Sequence, residues 1–247
     1  MKSKVLTILL LSASLAFSQS ASVWEKKGDA LEASSKTRDA LAAYQKAEKK
    51  SPKDAELLVK IAKQYGDLMP SLGKAAAKDA AEFSLAYSRR AVKADPKSSD
   101  PHLAVALSLG KLTPYLGSRA KIDASREMKS EADTALRLNS KSDYAHHMLG
   151  RWHQEMAGIG GGTRLLAKVV YGGVPKGSYK EALEHFKKAR SINSKRLIHQ
   201  LEYGRTLAMM GRDADARKEI NKGLAMRNSE ADDAESKIRA RQTLKNL

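Results

Sequence analysis

The sequence predicts an all-α solenoid in which pairs of helices repeat along the chain. Only 5% of the residues are aromatic while 42% are apolar, and the abundance of Ala, Lys and Leu favours helices over sheets. Residues 66–73 (GDLMPSLG) and residues 110–117 (GKLTPYLG) share the pattern G-x-L-x-P-x-L-G, 44 positions apart. An internal repeat with a period of about 20–50 residues is typical of a solenoid.

The composition excludes several classes of protein. The chain has no cysteine, so it contains no disulfide framework, thiolate metal site or thiol nucleophile. It has 45 Lys and Arg against 28 Asp and Glu, a net charge of +17, and the basic residues are spread along the chain. This charge predicts attraction to anionic partners without identifying one.

The N-terminus has the pattern of a secretory signal. Two lysines precede a mostly apolar run over residues 5–17, and small residues follow that run. The run is shorter than the roughly 20 apolar residues that a membrane-spanning helix needs. We therefore expect a signal peptide over residues 1–20, cleaved near Ser18 to Ser20. The mature chain should lack a transmembrane span and be exported, to the periplasm or the medium.

The first repeat identifies the repeat type, because its residues have the spacing of a tetratricopeptide (TPR) unit of about 34 residues. In such a unit small residues let paired helices approach closely, and proline ends the second helix. The matching positions are Trp24, Gly28, Ala40, Tyr44, Ala47 and Pro52, then Ala182, Phe186 and Ala189, and finally Gly204, Ala216, Ile220 and Gly223. Residues 21–247 are therefore expected to form one TPR-like domain of about five helix pairs.

The repeats are of unequal length. Their ends lie 44, 44, 54 and 34 residues apart, taken at Pro52, Pro96, Ser140, Ser194 and Asn228. Repeats two to four therefore carry insertions between their two helices, at 66–79, 110–123 and 157–178, where we expect extra helices. The charged segment 230–247 predicts a capping helix, which covers the last apolar face of a solenoid.

Several segments resemble one family more specifically. HHMLGRWHQEMAGI (146–159), VPKGSYKEALEHFKKARSIN (174–193), LEYGRTLAMMG (201–211) and AKIDASREMKSEADTALRLNS (120–140) are similar to the regulator of microtubule dynamics protein family. The similarity spans about residues 24–226. Members share a TPR domain with this inserted segment, so the resemblance implies the fold and a binding role. It implies no particular partner, because the eukaryotic members are intracellular proteins linked to microtubules and organelle membranes, whereas this N-terminus is of the export type.

Motifs that suggest catalysis or metal binding have structural explanations. His146 and His153 are seven residues apart on one helix, a rise of about 10.5 Å, which is too far for one Zn²⁺. The glycine run 158–162 lacks the strand and the G-K-[ST] of a phosphate loop. The S-x-x-K matches at Ser71 and Ser118 lack their companion motifs. We predict no catalytic residue, metal or cofactor, and therefore no enzyme.

Nucleic acid is not an expected partner despite the positive charge. Lysines alternate with acidic residues in much of the sequence, as on a solvated helix face, and few aromatic side chains are present to stack on bases. The export signal also argues against it.

The first helices of successive TPR pairs are expected to line a groove that begins acidic and becomes apolar with isolated cations. Its predicted ligand-binding residues are Lys63, Leu103, Leu107, Tyr144, His147, Arg151, Ile198, Leu201 and Arg205. Apolar walls with a few placed charges fit an anionic amphipathic ligand. The leading hypothesis is a scaffold that binds a protein or peptide, for instance an acidic helix or tail. The alternative is a carrier or sensor of a fatty acid or phospholipid, held by Lys63, Arg151 and Arg205.

The sequence leaves open whether the inserted segments fill this groove or frame it. Leu165, Leu166, Val169 and Val170 form one apolar stripe within residues 164–171. Exposed apolar surface is normally covered in soluble monomers. One further hypothesis is therefore that this segment folds into the groove and covers the groove side chains as ordinary core.

Overall fold

Every regular element in the computed structural model, which describes residues 22–247, is helical. The predicted signal peptide lies outside these residues and stays a prediction. None of the described helices combines the length and apolarity needed to cross a bilayer. The chain divides into two units with a boundary between Ala104 and Val105.

The N-terminal unit contains the first two helix pairs and the start of the third. Residues 22–33 are helical and are called α1. The following helices are α2 (Thr37–Glu48), α3 (Ala55–Leu68), α4 (Lys74–Ala94) and α5 (Ser99–Leu112), the last of which crosses the boundary. Asp54 begins α3 as a cap, because its side chain accepts the N–H of Leu57 at 3.1 Å.

The predicted TPR positions of the first pair form its core. Ala40, Tyr44 and Ala47 are fully buried. Gly28 lets α1 approach the Tyr44 ring, since a Cβ at residue 28 would stand 2.4 Å from Tyr44 Cε1. This close approach explains why the repeat pattern places a glycine opposite an aromatic residue.

The Tyr44 hydroxyl ties the two helices of the first pair together. It lies 2.8 Å from Asp29 Oδ1 and 2.7 Å from Glu32 Oε2, and burial together with these carboxylates raises its pKa. We expect Tyr44→Phe to lower the free energy of unfolding by about 1–2 kcal/mol, because a hydrogen bond to a charged acceptor is lost. Urea denaturation measures this change. Tyr115→Phe is the control, and equal stability of the two variants would contradict the assignment.

The C-terminal unit contains the remaining pairs, one inserted helix and the cap. After the end of α5 its helices are α6 (Ser118–Leu138), α7 (Asp143–Ala157), α8 (Gly161–Tyr171), α9 (Tyr179–Ile192), α10 (Leu197–Met209), α11 (Asp213–Ala225) and α12 (Asp233–Lys245). The pairs are α5 with α6, α7 with α9, and α10 with α11. Ala182, Phe186, Ala189, Ala216 and Ile220 are fully buried, as the TPR spacing predicts.

The two similar octapeptides fold alike. Each contains a short 3-10 turn, Met69–Ser71 or Thr113–Tyr115, and each ends in an extended glycine, Gly73 or Gly117, that begins the next helix. The extra residues here lengthen α4 and α6 to 21 residues each. A separate inserted α-helix forms only in the third insertion, 157–178, where α8 lies.

The predicted capping helix is confirmed by α12. Ala240 is buried against Leu197, Leu201 and Ile220, and Leu244 packs at the edge of this cluster. Ile238 is 63% exposed and points away from it. The cap therefore closes the apolar face of the last pair with one side of an otherwise charged helix.

Candidate functional site

A buried ion cluster joins the first helices of the last two pairs. Glu202 on α10 is 1% exposed, and its carboxylate lies 3.1 Å from Arg151 Nη1 and 2.7 Å from Arg205 Nη1. Arg151 also contacts Glu155 at 3.0 Å. Burial opposes ionisation of Glu202, but the charges of Arg151 and Arg205 lower its pKa to about 2. The cluster holds α7 against α10 and satisfies its own charges.

A second polar group lies at the N-terminal ends of the same two helices. His199 Nε2 is 3.1 Å from Asp143 Oδ2, and His199 Nδ1 is 3.1 Å from His147 Nδ1. Both hydrogen bonds form when His199 donates its Nε2–H to Asp143 and accepts the Nδ1–H of His147 at its own Nδ1. Burial would raise the pKa of Asp143, but the His199 hydrogen bond and the Arg196 charge hold it well below its usual value. Asp143 is thus an ionised anchor for both histidine and arginine.

The segment that precedes α12 crosses these helices as an acidic turn, residues 229–233. Asp233 closes the turn by accepting the backbone N–H groups of Ser229, at 2.7 Å, and Glu230, at 2.9 Å. The turn presents two carboxylates to its surroundings, those of Glu230 and Asp232. The turn is therefore a short acidic segment that contacts basic and phenolic side chains of its own unit.

Donors from three successive helix pairs converge on the acidic turn. Lys111 on α5 lies 3.1 Å from Asp232, while Tyr144 on α7 and Arg196 at the start of α10 both contact Glu230. The Arg196 guanidinium stacks 4.0 Å from the centre of the Tyr144 ring. Burial and Glu230 raise the pKa of Tyr144, so its hydroxyl stays a donor. We call the surface formed by Lys111, Tyr144 and Arg196 the binding face.

A basic cleft continues from the binding face. Its volume is about 390 Å³, and its lining consists of Lys187, Arg190, Ser191, Ser194, Arg196, Gln200 and Tyr203. Arg196 belongs to both the cleft and the binding face. Residues 187–196 (KKARSINSKR) contain five cations and no acidic residue. Arg190 is paired with Glu219 at 3.2 Å and Arg196 with Asp143 and Glu230, so an anionic segment that leaves the binding face would meet a basic but partly neutralised lining.

The structure separates the predicted groove residues into several environments. Tyr144 belongs to the binding face, whereas His147 is 4% exposed and Leu201 is fully buried. Those last two are therefore core residues and do not line an open groove, because the polar group and the cap enclose them. Arg151 and Arg205 are partly buried with their charges paired, and Leu103, Leu107 and Ile198 are partly buried.

Lys63 lies in the N-terminal unit and is also paired. Its ammonium is 2.8 Å from Glu32 and 2.6 Å from Asp67. The acidic residues at the predicted start of the groove are neutralised similarly, since Lys60 lies 2.8 Å from Glu25 and 3.0 Å from Asp29. The isolated cations expected from the sequence are thus members of ion pairs.

The hypothesis that α8 folds inward to cover the groove is wrong. Leu165, Leu166, Val169 and Val170 are between 60% and 79% exposed, and Ala167 is the buried residue of this helix. The acidic turn and α12 cover the first helices in the C-terminal unit instead. Arg205, for example, lies 3.3 Å from Thr243 of the cap.

The sequence predicted Tyr144 as a binding residue but not the other two residues of the binding face, Lys111 and Arg196. No repeat position marks Lys111 or Arg196 as a binding residue, and the pattern of residues 230–247 predicts only a cap. One signal was present: residues 230–235 (EADDAE) contain four acidic residues in a basic chain. In a protein of net charge +17 such a run is attracted to basic residues, but the sequence does not indicate which of them it contacts.

Three histidines form another cluster between α7 and α9. His185 on α9 lies between His146 and His153 of α7, with ring centres 5.3 Å and 5.7 Å away. Burial, and then the neighbouring histidines, lower the pKa of His185 to about 4. Within residues 22–247 no group of three or more His, Asp and Glu side chains is arranged to hold a metal ion.

This histidine cluster predicts sensitivity to mild acid. Below about pH 6.5 the unfolded chain binds a proton at His185, whereas the folded chain resists protonation until about pH 4, so stability falls as pH falls through this window. Allowing for solvent screening, we expect a loss of about 1–2 kcal/mol from His185. Urea midpoints at pH 7 and pH 5 measure it. His185→Gln should reduce the difference between the two pH values, and an unchanged difference would contradict this origin.

Comparisons with known proteins agree with the helical-pair architecture. The model of the family described as regulator of microtubule dynamics protein 1-3 matches residues 24–247. No curated protein matches the sequence. A thermophilic TPR protein of Thermus thermophilus has a TM-score of 0.66 and 16% identity, covering 91% of this chain and 98% of that chain.

Two further solved structures share the fold. Pseudomonas aeruginosa pilF has a TM-score of 0.58 and 14% identity, covering 94% of this chain and 90% of that chain. A TPR protein of Parabacteroides merdae has a TM-score of 0.55 and 16% identity, covering 92% of this chain and 77% of that chain. At these identities the three structures establish the TPR fold alone. The family match extends over nearly the whole chain, and the protein belongs to the regulator of microtubule dynamics protein family.

Proposed function

We propose that this protein is a non-catalytic TPR scaffold whose C-terminal unit binds an acidic segment of a protein partner on the binding face. One observation carries the proposal: Lys111, Tyr144 and Arg196, from three successive helix pairs, all donate to carboxylates of one short peptide turn. In the free chain that turn is the protein's own. A partner segment with similarly spaced carboxylates would take its place.

The chemistry of the face favours a peptide carboxylate. Ammonium, phenol and guanidinium groups form charge-assisted hydrogen bonds with carboxylates, and these are about twice as strong as neutral ones. Tyr144 and Arg196 are further fixed by ring stacking and by the contact of Arg196 with Asp143. Little side-chain entropy is therefore lost on binding, which increases affinity.

The lipid-carrier alternative rests on cations that the structure pairs with carboxylates. Lys63 contacts Glu32 and Asp67, and Arg151 and Arg205 share the buried Glu202. A lipid phosphate would have to compete with these carboxylates for the same donors. Among residues 22–247 no contact favours that alternative, and it stays a prediction from the sequence.

A fluorescence titration tests the proposed recognition. The probe is a labelled peptide with the sequence of residues 226–238, and the receptor is the full chain with Glu230→Gln and Asp232→Asn, which weakens the intramolecular contacts. We expect saturable binding. Adding Lys111→Met should weaken it about tenfold, because a charge-assisted hydrogen bond contributes about 1.5 kcal/mol or more.

Two controls separate recognition from general attraction to a basic protein. A peptide carrying Gln and Asn at the positions of Glu230 and Asp232 should bind about tenfold more weakly than the acidic peptide. Lys245→Met removes an exposed charge of α12 without touching the binding face. Equal affinity of both peptides, or equal losses from Lys111→Met and Lys245→Met, would contradict the proposal.

We also propose that the protein acts outside the cytoplasm after removal of the signal peptide. The support is the lysine-led apolar run over residues 5–17 and the small residues that follow it. The intact mass of the native product should correspond to cleavage near Ser18 to Ser20. A product that retains Met1 and sediments with membranes would contradict export as a cleaved chain.

A further inference from the structure

The inserted helix α8 carries an apolar stripe on its outer side. Leu165, Leu166, Val169 and Val170 are 65%, 68%, 79% and 60% exposed. Their spacing of i, i+1, i+4 and i+5 places them on one face of a helix of 3.6 residues per turn. Large apolar side chains in one contiguous exposed patch indicate an interaction surface.

The opposite side of α8 is attached firmly to its own unit. Ala167 is buried, and Arg164 clamps the two ends of the insertion by contacting the carbonyl oxygens of Met156, Ile159 and Pro175. The helix ends at Gly172, in the left-handed conformation with φ of 73°, and the N–H of Gly173 bonds to Ala167 O. These contacts therefore hold α8 in place with its apolar stripe facing outward.

The surroundings of α8 are mainly basic, although Arg126 of α6 also pairs with Asp123 at 3.3 Å and the acidic residues Glu155 and Glu181 flank the segment. Between Met156 and Lys180 the sequence contains four cations and no Asp or Glu. Lys168, Lys176 and Lys180 are exposed, and the exposed Arg126 of α6 reaches Gly173 O at 3.0 Å. The apolar stripe, Lys168 on α8 and the cations that flank the helix together match the pattern of a helix that lies in a membrane interface.

We propose that α8 docks on an anionic lipid bilayer, with its apolar stripe inserted among the lipid head groups. The helix would lie in the plane of the interface while the flanking lysines contact anionic head groups. A second copy of the chain is a poorer occupant, because two such faces would bring like charges together. This surface is independent of the binding face, so a peptide and a membrane could be engaged by separate elements of the unit.

The absence of cysteine permits a direct test at single positions. Val169→Cys in the full chain is labelled with an environment-sensitive fluorophore, and vesicles of phosphatidylglycerol and phosphatidylcholine are added. We expect a blue shift and quenching by bilayer-embedded quenchers at position 169. Ile238→Cys is the control and should not respond, since Ile238 is also an exposed apolar residue, at 63% against 79% for Val169, and is flanked by basic residues on α12.

Each other result would overturn the proposal. Insertion of the apolar N-terminal run, residues 5–17, into the vesicle would not by itself change the fluorescence, because the fluorophore reports only on the surroundings of the residue that carries it. An equal response at positions 169 and 238, or no response at either, would show that α8 is not the inserted element. An equal response with vesicles of pure phosphatidylcholine would contradict the requirement for anionic lipid. A blue shift that depends on protein concentration without vesicles would assign the stripe to contacts between copies.

A substitution complements the label. Leu165→Ser with Val169→Ser should reduce partitioning onto anionic vesicles by about 10- to 100-fold, since two apolar side chains no longer leave water. The circular dichroism and melting temperature should stay unchanged, because both side chains are exposed in the folded chain. Ile238→Ser is the matched control. Unchanged partitioning of the double variant would contradict insertion of the stripe.

Discussion

Replacing both Arg151 and Arg205 with alanine should lower the free energy of unfolding by about 3–5 kcal/mol, because it leaves a buried carboxylate without its counter-ions. Glu202 is 1% exposed, and these two arginines are its cationic contacts within the described residues. Denaturant unfolding at pH 7 measures the loss. The result separates a packing role for the arginines from the ligand-binding role that the sequence predicted for them.

Two comparisons make this result specific to Glu202. Arg212→Ala with Arg217→Ala removes two exposed arginines from the last pair and should change stability by less than about 1 kcal/mol. Adding Glu202→Gln to the Arg151 and Arg205 double variant should recover part of the loss, because the unpaired charge is removed. Unchanged stability of the double variant would contradict this structural role and would favour the ligand-binding role of Arg151 and Arg205.

Replacing Gly204 with valine should cost about 3 kcal/mol or more, because the site between α10 and α11 has no room for a side chain. A Cβ at this position would lie 2.7 Å from Ile220 Cγ1 and 2.9 Å from the Ile220 backbone nitrogen. A backbone atom cannot move aside as a flexible side chain can. The helices would have to separate, and the fully buried Ile220 would lose its packing.

Gly162 provides the matched control for this substitution. It lies in the first turn of α8, where a Cβ would meet no atom within 4 Å. Gly162→Val should change the melting temperature little, while Gly204→Val should lower it strongly or prevent folding. Similar melting temperatures for the two variants would mean that α10 and α11 are not packed as closely as the TPR pattern requires.

The repeat architecture could be predicted from the sequence because it depends on local spacing. Gly28 opposite Tyr44, and the triplet of Ala182, Phe186 and Ala189, mark helix contacts within one repeat, where the loop length fixes which faces meet. The octapeptides predicted matching turns for the same reason. Their repeated proline and glycine positions constrain the backbone directly.

The charge pairing could not be predicted from the sequence in the same way. Arg151 and Glu202 are 51 residues apart, and Lys111 and Asp232 are 121 residues apart, so no local period connects them. Position in the repeat indicated that Arg151 and Arg205 share a register, but not that a glutamate between them would neutralise both. The sequence therefore suggested free cations where the fold forms buried ion pairs.

The exposed position of α8 reverses an expectation that was based on hydrophobicity alone. An apolar stripe predicts burial, but it does not say whether the cover is the same chain or another surface. In the structure the stripe faces outward, while the Arg164 guanidinium contacts the backbone carbonyl groups of Met156, Ile159 and Pro175 and Ala167 is buried on the inner side. These contacts depend on the path of a glycine-rich loop, which composition does not specify.

The most direct test of the central claim is competition between the acidic turn and a peptide for the binding face. The labelled peptide of residues 226–238 is titrated into the wild-type chain and into the Glu230→Gln, Asp232→Asn variant. We expect the peptide to bind the variant at least about tenfold more tightly than the wild type, because the wild-type turn already occupies Lys111, Tyr144 and Arg196. Equal binding to both chains, or tighter binding to the wild type, would contradict it.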